Sequence, residues 1–113
     1  MMKAFDLATL FQQQQHFVSR GQMYLEFLRE STMSMGLYVL PAGAVDGQEP
    51  HSEDEVYYVA AGRGRFVSAG EDVPVQAGSI LFVHAHAEHH FHSIEEDLHI
   101  LVVFAPPEYS LKK

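Results

Sequence analysis

From Gly21 onward the chain is a series of short apolar segments, most of them ended by a glycine or a proline. Met23 to Leu28 mixes aromatic and aliphatic residues. Gly36 to Leu40 reads GLYVL and stops at Pro41, and Val56 to Ala60 reads VYYVA and stops at Gly62. Arg65 to Ser68, Val73 to Val75 and Ile80 to Val83 are shorter, with Gly70 and Gly78 between them. His89 to Ile94 and Leu98 to Phe104 complete the series before Pro106-Pro107. Short strands at similar spacing, broken by turn-forming residues, specify a sandwich or a barrel. No long helical period follows residue 20, which counts against an α/β fold.

Residues 1–20 differ. Phe5, Leu7, Leu10, Phe11 and Phe17, with the glutamine run 12–15, predict a short helix or arm capped by Asp6 and packed on the outside of the fold. A dimer contact is the other use for such a segment. The expected organisation is one domain over 1–113, with the arm at 1–20, the β-barrel at 21–107 and a tail at 108–113.

The 113 residues are enough to bury one core without staples. With no cysteine, disulfides, thiolate metal sites and cysteine nucleophiles are excluded. Fifteen acidic against seven basic residues give a formal charge of -8, which repels nucleic-acid backbones and anionic membrane surfaces. The longest apolar run, Ile100 to Ala105, is far short of the roughly 20 residues of a membrane span. The N-terminus lacks the apolar core of a secretory leader, so the expected location is the cytoplasm.

Two stretches concentrate metal-ligating side chains. In Glu49-Pro50-His51-Ser52-Glu53-Asp54-Glu55, an extended backbone would turn Glu49, His51, Glu53 and Glu55 to one side. Either a bound cation or a solvated acidic loop accounts for that. The second stretch holds five of the eight histidines, between His84 and His92. If a strand begins at His89, alternation sends His89 and Phe91 inward and His90 and His92 outward.

The spacing resembles the cupin superfamily. Gly43, five residues, Glu49-x-His51, three residues, Glu55, six residues and Gly62 match the first cupin motif. Gly78, five residues, His84-x-His86, two residues, His89, three residues and Ser93 match the second. The departures are Glu49 for the first histidine, His84 and His86 for a proline and a glycine, and Ser93 for an asparagine. The resemblance implies an all-β cupin jelly-roll barrel with a short N-terminal helix or arm. It also implies one divalent transition metal (iron, manganese, zinc or nickel) in the barrel mouth, held by His51, Glu55 and His89. Glu49 takes the fourth position, or a water does, with Glu53 as a substitute carboxylate.

Two imidazoles and one carboxylate leave open positions and suit non-haem iron(II) chemistry. That points to a metal-dependent small-molecule oxidoreductase of dioxygenase type. A binding or sensing module without turnover is the alternative. A cofactor-free isomerase using His89 or His99 as base needs fewer coordinating groups. Tyr38 and Tyr57 are candidate pocket hydroxyls or packing residues, and Phe66, Phe82, Phe91 and Tyr57 are candidate pocket walls. His99 either points into the barrel or is structural. His84 and His86 are either loop drift or extra imidazoles at the mouth. By resemblance the chain pairs as a homodimer, with Tyr24 and Phe27 on opposite faces of one strand as a possible second buried surface.

Overall fold

The computed structural model describes residues 2–111. Its one helix, α1 (Leu7–Val18), begins where Asp6 accepts a hydrogen bond from the Thr9 amide at 3.0 Å. That cap satisfies one of the free amides of the first turn. Six strands follow: β1 (Tyr24–Arg29), β2 (Ser34–Leu40), β3 (Asp54–Ser68), β4 (Glu71–Gln76), β5 (Ile80–Val83) and β6 (His89–Ala105). They form one antiparallel sheet in the order β1-β2-β6-β3-β4, with β5 paired to β3.

β3 and β6 each unite two of the expected short strands. They pair from Asp54↔Ala105 to Ser68↔His89, with register shifts between Val59 and Arg65. Gly62 was expected to end a strand and instead sits inside β3, within the shifted stretch. Its φ is +96°, and a Cβ there would lie 2.1 Å from the Asp97 carbonyl oxygen. Only glycine fits such a bulge, which bends and twists the ladder without ending it.

The shifts also change which residues face inward. Glu55, Tyr57 and Val59 are buried in the first half of β3, and Phe66 in the second. One long strand therefore contributes to both walls of a rolled-up sheet. The interior is closed by Leu40, Tyr57, Val59, Phe66, Val75, Phe91, Leu98, Ile100, Val102 and Phe104, all under 5% exposed. Each large side chain of this kind contributes about 1.5–3 kcal/mol on burial.

The helix covers the outer face of β2. Gln14 is fully buried there, and its amide donates to the carbonyls of Leu37 at 2.8 Å and Met23 at 3.0 Å. His99 lies beneath the same helix. Its neighbours Leu98 and Ile100 point inward, so alternation puts the imidazole on the outer face, 5.1 Å from the Phe11 ring. His99 is therefore structural and takes no part in the barrel interior. Phe82 is likewise outside and 56% exposed, because its partner position Val83 takes the inward direction. Phe27 is covered within the chain by Phe5, ring centroids 4.9 Å apart, while Tyr24 on the other face lines a cavity inside the roll.

Gly62→Ala is expected to cost about 2–4 kcal/mol through strain and the clash with Asp97. Urea denaturation measures this, and an unchanged midpoint would contradict the bulge.

Candidate metal centre

His51 lies in the irregular segment 41–53, Glu55 near the start of β3, and His89 at the start of β6. Along the β3–β6 ladder Glu55 pairs with Phe104 and His89 with Ser68, at opposite ends. Only rolling up the sheet brings them together. His89 Nε2 is 2.8 Å from Glu55 Oε1, and His51 Nδ1 is 3.2 Å from the same oxygen. The three side chains each offer a ligand atom within 4.8 Å of the others. Phe104 packs against the His51 ring, and Tyr57 and Phe66 against His89.

The burial is severe. Glu55 is 1% exposed and His89 is 4% exposed. Burial pushes the Glu55 carboxyl up, but the two imidazoles outweigh it and hold the group at about 2. Burial pushes His51 down, but Glu108 and Glu55 outweigh that and raise it to about 9. His89 is also raised, by Glu55 and the Ala87 carbonyl against the desolvation. The trio thus holds charge where charge is costly.

Short as these contacts are, they lack hydrogen-bond direction. His51 Nδ1, both Glu55 oxygens and His89 Nε2 are buried with no hydrogen-bond partner among the described residues. Four donor atoms converge on a shared space instead of on one another. Unpartnered buried polar atoms are expensive, and a cation in their midst would satisfy all of them. The nitrogen and oxygen donor set fits a divalent transition metal.

Glu49 is exposed at the rim of the adjoining cavity, outside this trio. Glu53 is not a substitute ligand. Its buried carboxylate accepts from the Ser52 hydroxyl and from the amides of Tyr109 at 2.9 Å and Leu111 at 3.3 Å. The alternation expected for 49–55 fails because β3 begins only at Asp54. Of the five clustered histidines only His89 is buried. His84 is exposed and packs against Phe82. His86 adopts φ +68° in the turn before β6, at the position of the motif's glycine.

The cavity beside His51 has a volume of about 600 Å³. Tyr38 and Tyr57 do line it, but their hydroxyls are occupied. Tyr38 donates to Asp46 at 2.6 Å and Tyr57 to Gln48 at 2.9 Å. Asp46, 8% exposed, also accepts from Gln48 and from the Phe91 amide, and so ties the loop to β6. Among the described residues, the buried hydroxyl with no hydrogen-bond partner is that of Tyr24, which lies over Gly36 where a Cβ would meet it at 2.1 Å. Burial, reinforced by Glu108, pushes its phenol upward, so it remains a neutral donor. Sequence reasoning missed Asp46, Tyr24 and Glu108. Asp46 and Glu108 carried no periodic signal in a loop and a tail, and Tyr24 read only as a strand aromatic on the face opposite Phe27.

Residues 36–104 match the family model described as the cupin domain. The chain is a cupin. It is 48% identical over 107 residues to an uncharacterised protein of Streptomyces coelicolor, covering 95% of this chain and 99% of that one. A Thermotoga maritima oxalate-binding protein is 39% identical over 69 residues, 57% of this cupin and 54% of the relative. Among solved structures, a Thermus thermophilus protein superposes with a TM-score of 0.73 at 23% identity, covering 94% of this cupin and 99% of its own chain. That likeness shows the fold.

His86→Gly is expected to stabilise this cupin by about 1 kcal/mol, since the left-handed conformation is strained for a side chain. Thermal melting tests this, and a loss of stability would show that the imidazole holds the turn.

Proposed function

We propose that this cupin holds one divalent transition-metal ion through His51, Glu55 and His89, and takes a small organic molecule in the adjoining cavity. The convergence of four buried donor atoms without partners carries the reading. Glu49, at the cavity rim, is the fourth protein ligand in this proposal. When bound, such an ion supplies Lewis acidity and, if it is iron or manganese, a route for electrons.

The chain's own residues define the rest. Glu55 neutralises positive charge at the centre, and Phe104 and Tyr57 keep bulk water from it. Tyr24, its hydroxyl sealed over Gly36, forms part of the cavity wall. Among the described residues no lysine or arginine lines the cavity. An anionic ligand would therefore find its main positive partner in the metal. Oxidation of the bound molecule, in the manner of a dioxygenase, fits a centre with open positions. Binding without turnover is the second reading, favoured by the oxalate-binding relative. Oxygen uptake by the metal-loaded protein separates the two. The exposed apolar face with Ile80 and Phe82 supports a homodimer formed through the sheet. The absence of a helix able to cross a membrane, among the described residues, is compatible with the proposed cytoplasmic location.

Elemental analysis of untagged protein, purified without a nickel column, tests the metal. About one ion per chain is expected, lost in the His51→Ala/His89→Ala double variant. Equal metal in both proteins, or none after reconstitution with iron, manganese or zinc, would contradict the site. Oxalate titrated calorimetrically should give binding heat only with metal-loaded protein. Equal binding to metal-free protein would refute the metal as the anchor for anions.

A further inference from the structure

We infer that Glu108, which lies beyond both cupin motifs, is the positioning residue that sets the ring of His51 for metal binding. This rests on the metal reading above. A neutral imidazole has one N–H and one lone pair, so whatever accepts the N–H decides which nitrogen can bind a metal.

For His89 the choice is made by the backbone. Its Nδ1 lies 2.9 Å from the Ala87 carbonyl oxygen, which can only accept. The proton is therefore on Nδ1, and Nε2 turns its lone pair toward Glu55, 2.8 Å away. His51 is arranged the opposite way round. Its Nδ1 faces Glu55, while Nε2 lies 3.1 Å from Glu108 Oε2. A carboxylate accepting the Nε2 proton leaves Nδ1 as the donor atom for the centre. The two histidines thus present different ring nitrogens to one point, with the Ala87 carbonyl behind one ring and the Glu108 carboxylate, at 3.1 Å, behind the other.

Glu108 is built into this role. Its amide donates to Ser34 Oγ at 2.9 Å, and its carbonyl accepts from Arg29 at 3.0 Å. The turn that follows is fastened by Glu53, which receives the amides of Tyr109 and Leu111. The Tyr109 ring lies against His51, centroids 5.8 Å apart. The Glu108 side chain is only 12% exposed. Buried Glu53, which resembles a ligand in sequence, anchors the segment that carries Glu108.

The test is zinc binding and nitrogen-15 histidine spectroscopy on the full chain. In the zinc-loaded protein His51 should be ligated through Nδ1 with its proton on Nε2, and His89 through Nε2. Glu108→Ala should weaken zinc about 10–100-fold, the usual effect of losing a carboxylate behind a ligating histidine. Glu108→Asp should recover part of that loss. A purely structural role would lower the melting temperature and leave zinc affinity unchanged. Should Glu108→Ala not fold, Glu108→Gln serves, with a loss of about 10-fold expected. Ligation of His51 through Nε2, or wild-type affinity in the folded Glu108 variant, overturns the inference while leaving the metal reading standing. Equal zinc binding by wild type and His89→Ala removes both.

Discussion

A carboxylate sealed inside an apolar barrel must be compensated where it sits, and Glu55 is such a group. It is 1% exposed, with His51 and His89 against one of its oxygens. Breaking such an arrangement by removing one partner leaves a charge buried alone, at a cost of about 3–5 kcal/mol. The loop 41–53 and the start of β6 must therefore be held where they deliver their imidazoles. The network around Asp46 does this for the loop. The turn at His86, whose amide donates to the His51 carbonyl at 2.6 Å, does it from the other side.

The sheet geometry serves the same end. A flat β3–β6 ladder would leave Glu55 and His89 at opposite ends. The bulged stretch around Gly62 bends the ladder, and Phe66 and Phe91 close behind His89 with ring centroids 4.6 Å apart. His86 and Ser93 hold the left-handed φ that strains a side chain, one in the turn before β6 and one within it. Strain of this kind persists where the surrounding packing over-determines the backbone.

Much of this was legible in the sequence, for identifiable reasons. Motif spacing singled out His51, Glu55 and His89, and the structure brings those three together. Strand alternation sorted His89 and Phe91 inward from His90 and His92 outward. It failed at Glu53 because the chain there is not yet a strand. At His99 the sequence reading left both faces open, although its apolar neighbours Leu98 and Ile100 take the inward direction. Gly62 read as a terminator because glycine ends strands and makes bulges alike, and only the register tells them apart. Glu108 was invisible for a different reason. Its position depends on Ser34, Arg29 and Glu53, contacts far apart in sequence that no local pattern announces.

The centre therefore combines two residues from the cupin motifs' loop and strand, one from the second motif, and a C-terminal segment that closes over them. Its central claim is that these donors surround a cation. An anomalous-difference map from crystals grown with manganese or zinc tests it most directly. The account predicts one strong peak per chain at about 2.0–2.2 Å from His89 Nε2, His51 Nδ1 and a Glu55 oxygen. A peak confined to the surface histidines His84, His90 and His92, or no peak in the barrel, would contradict it.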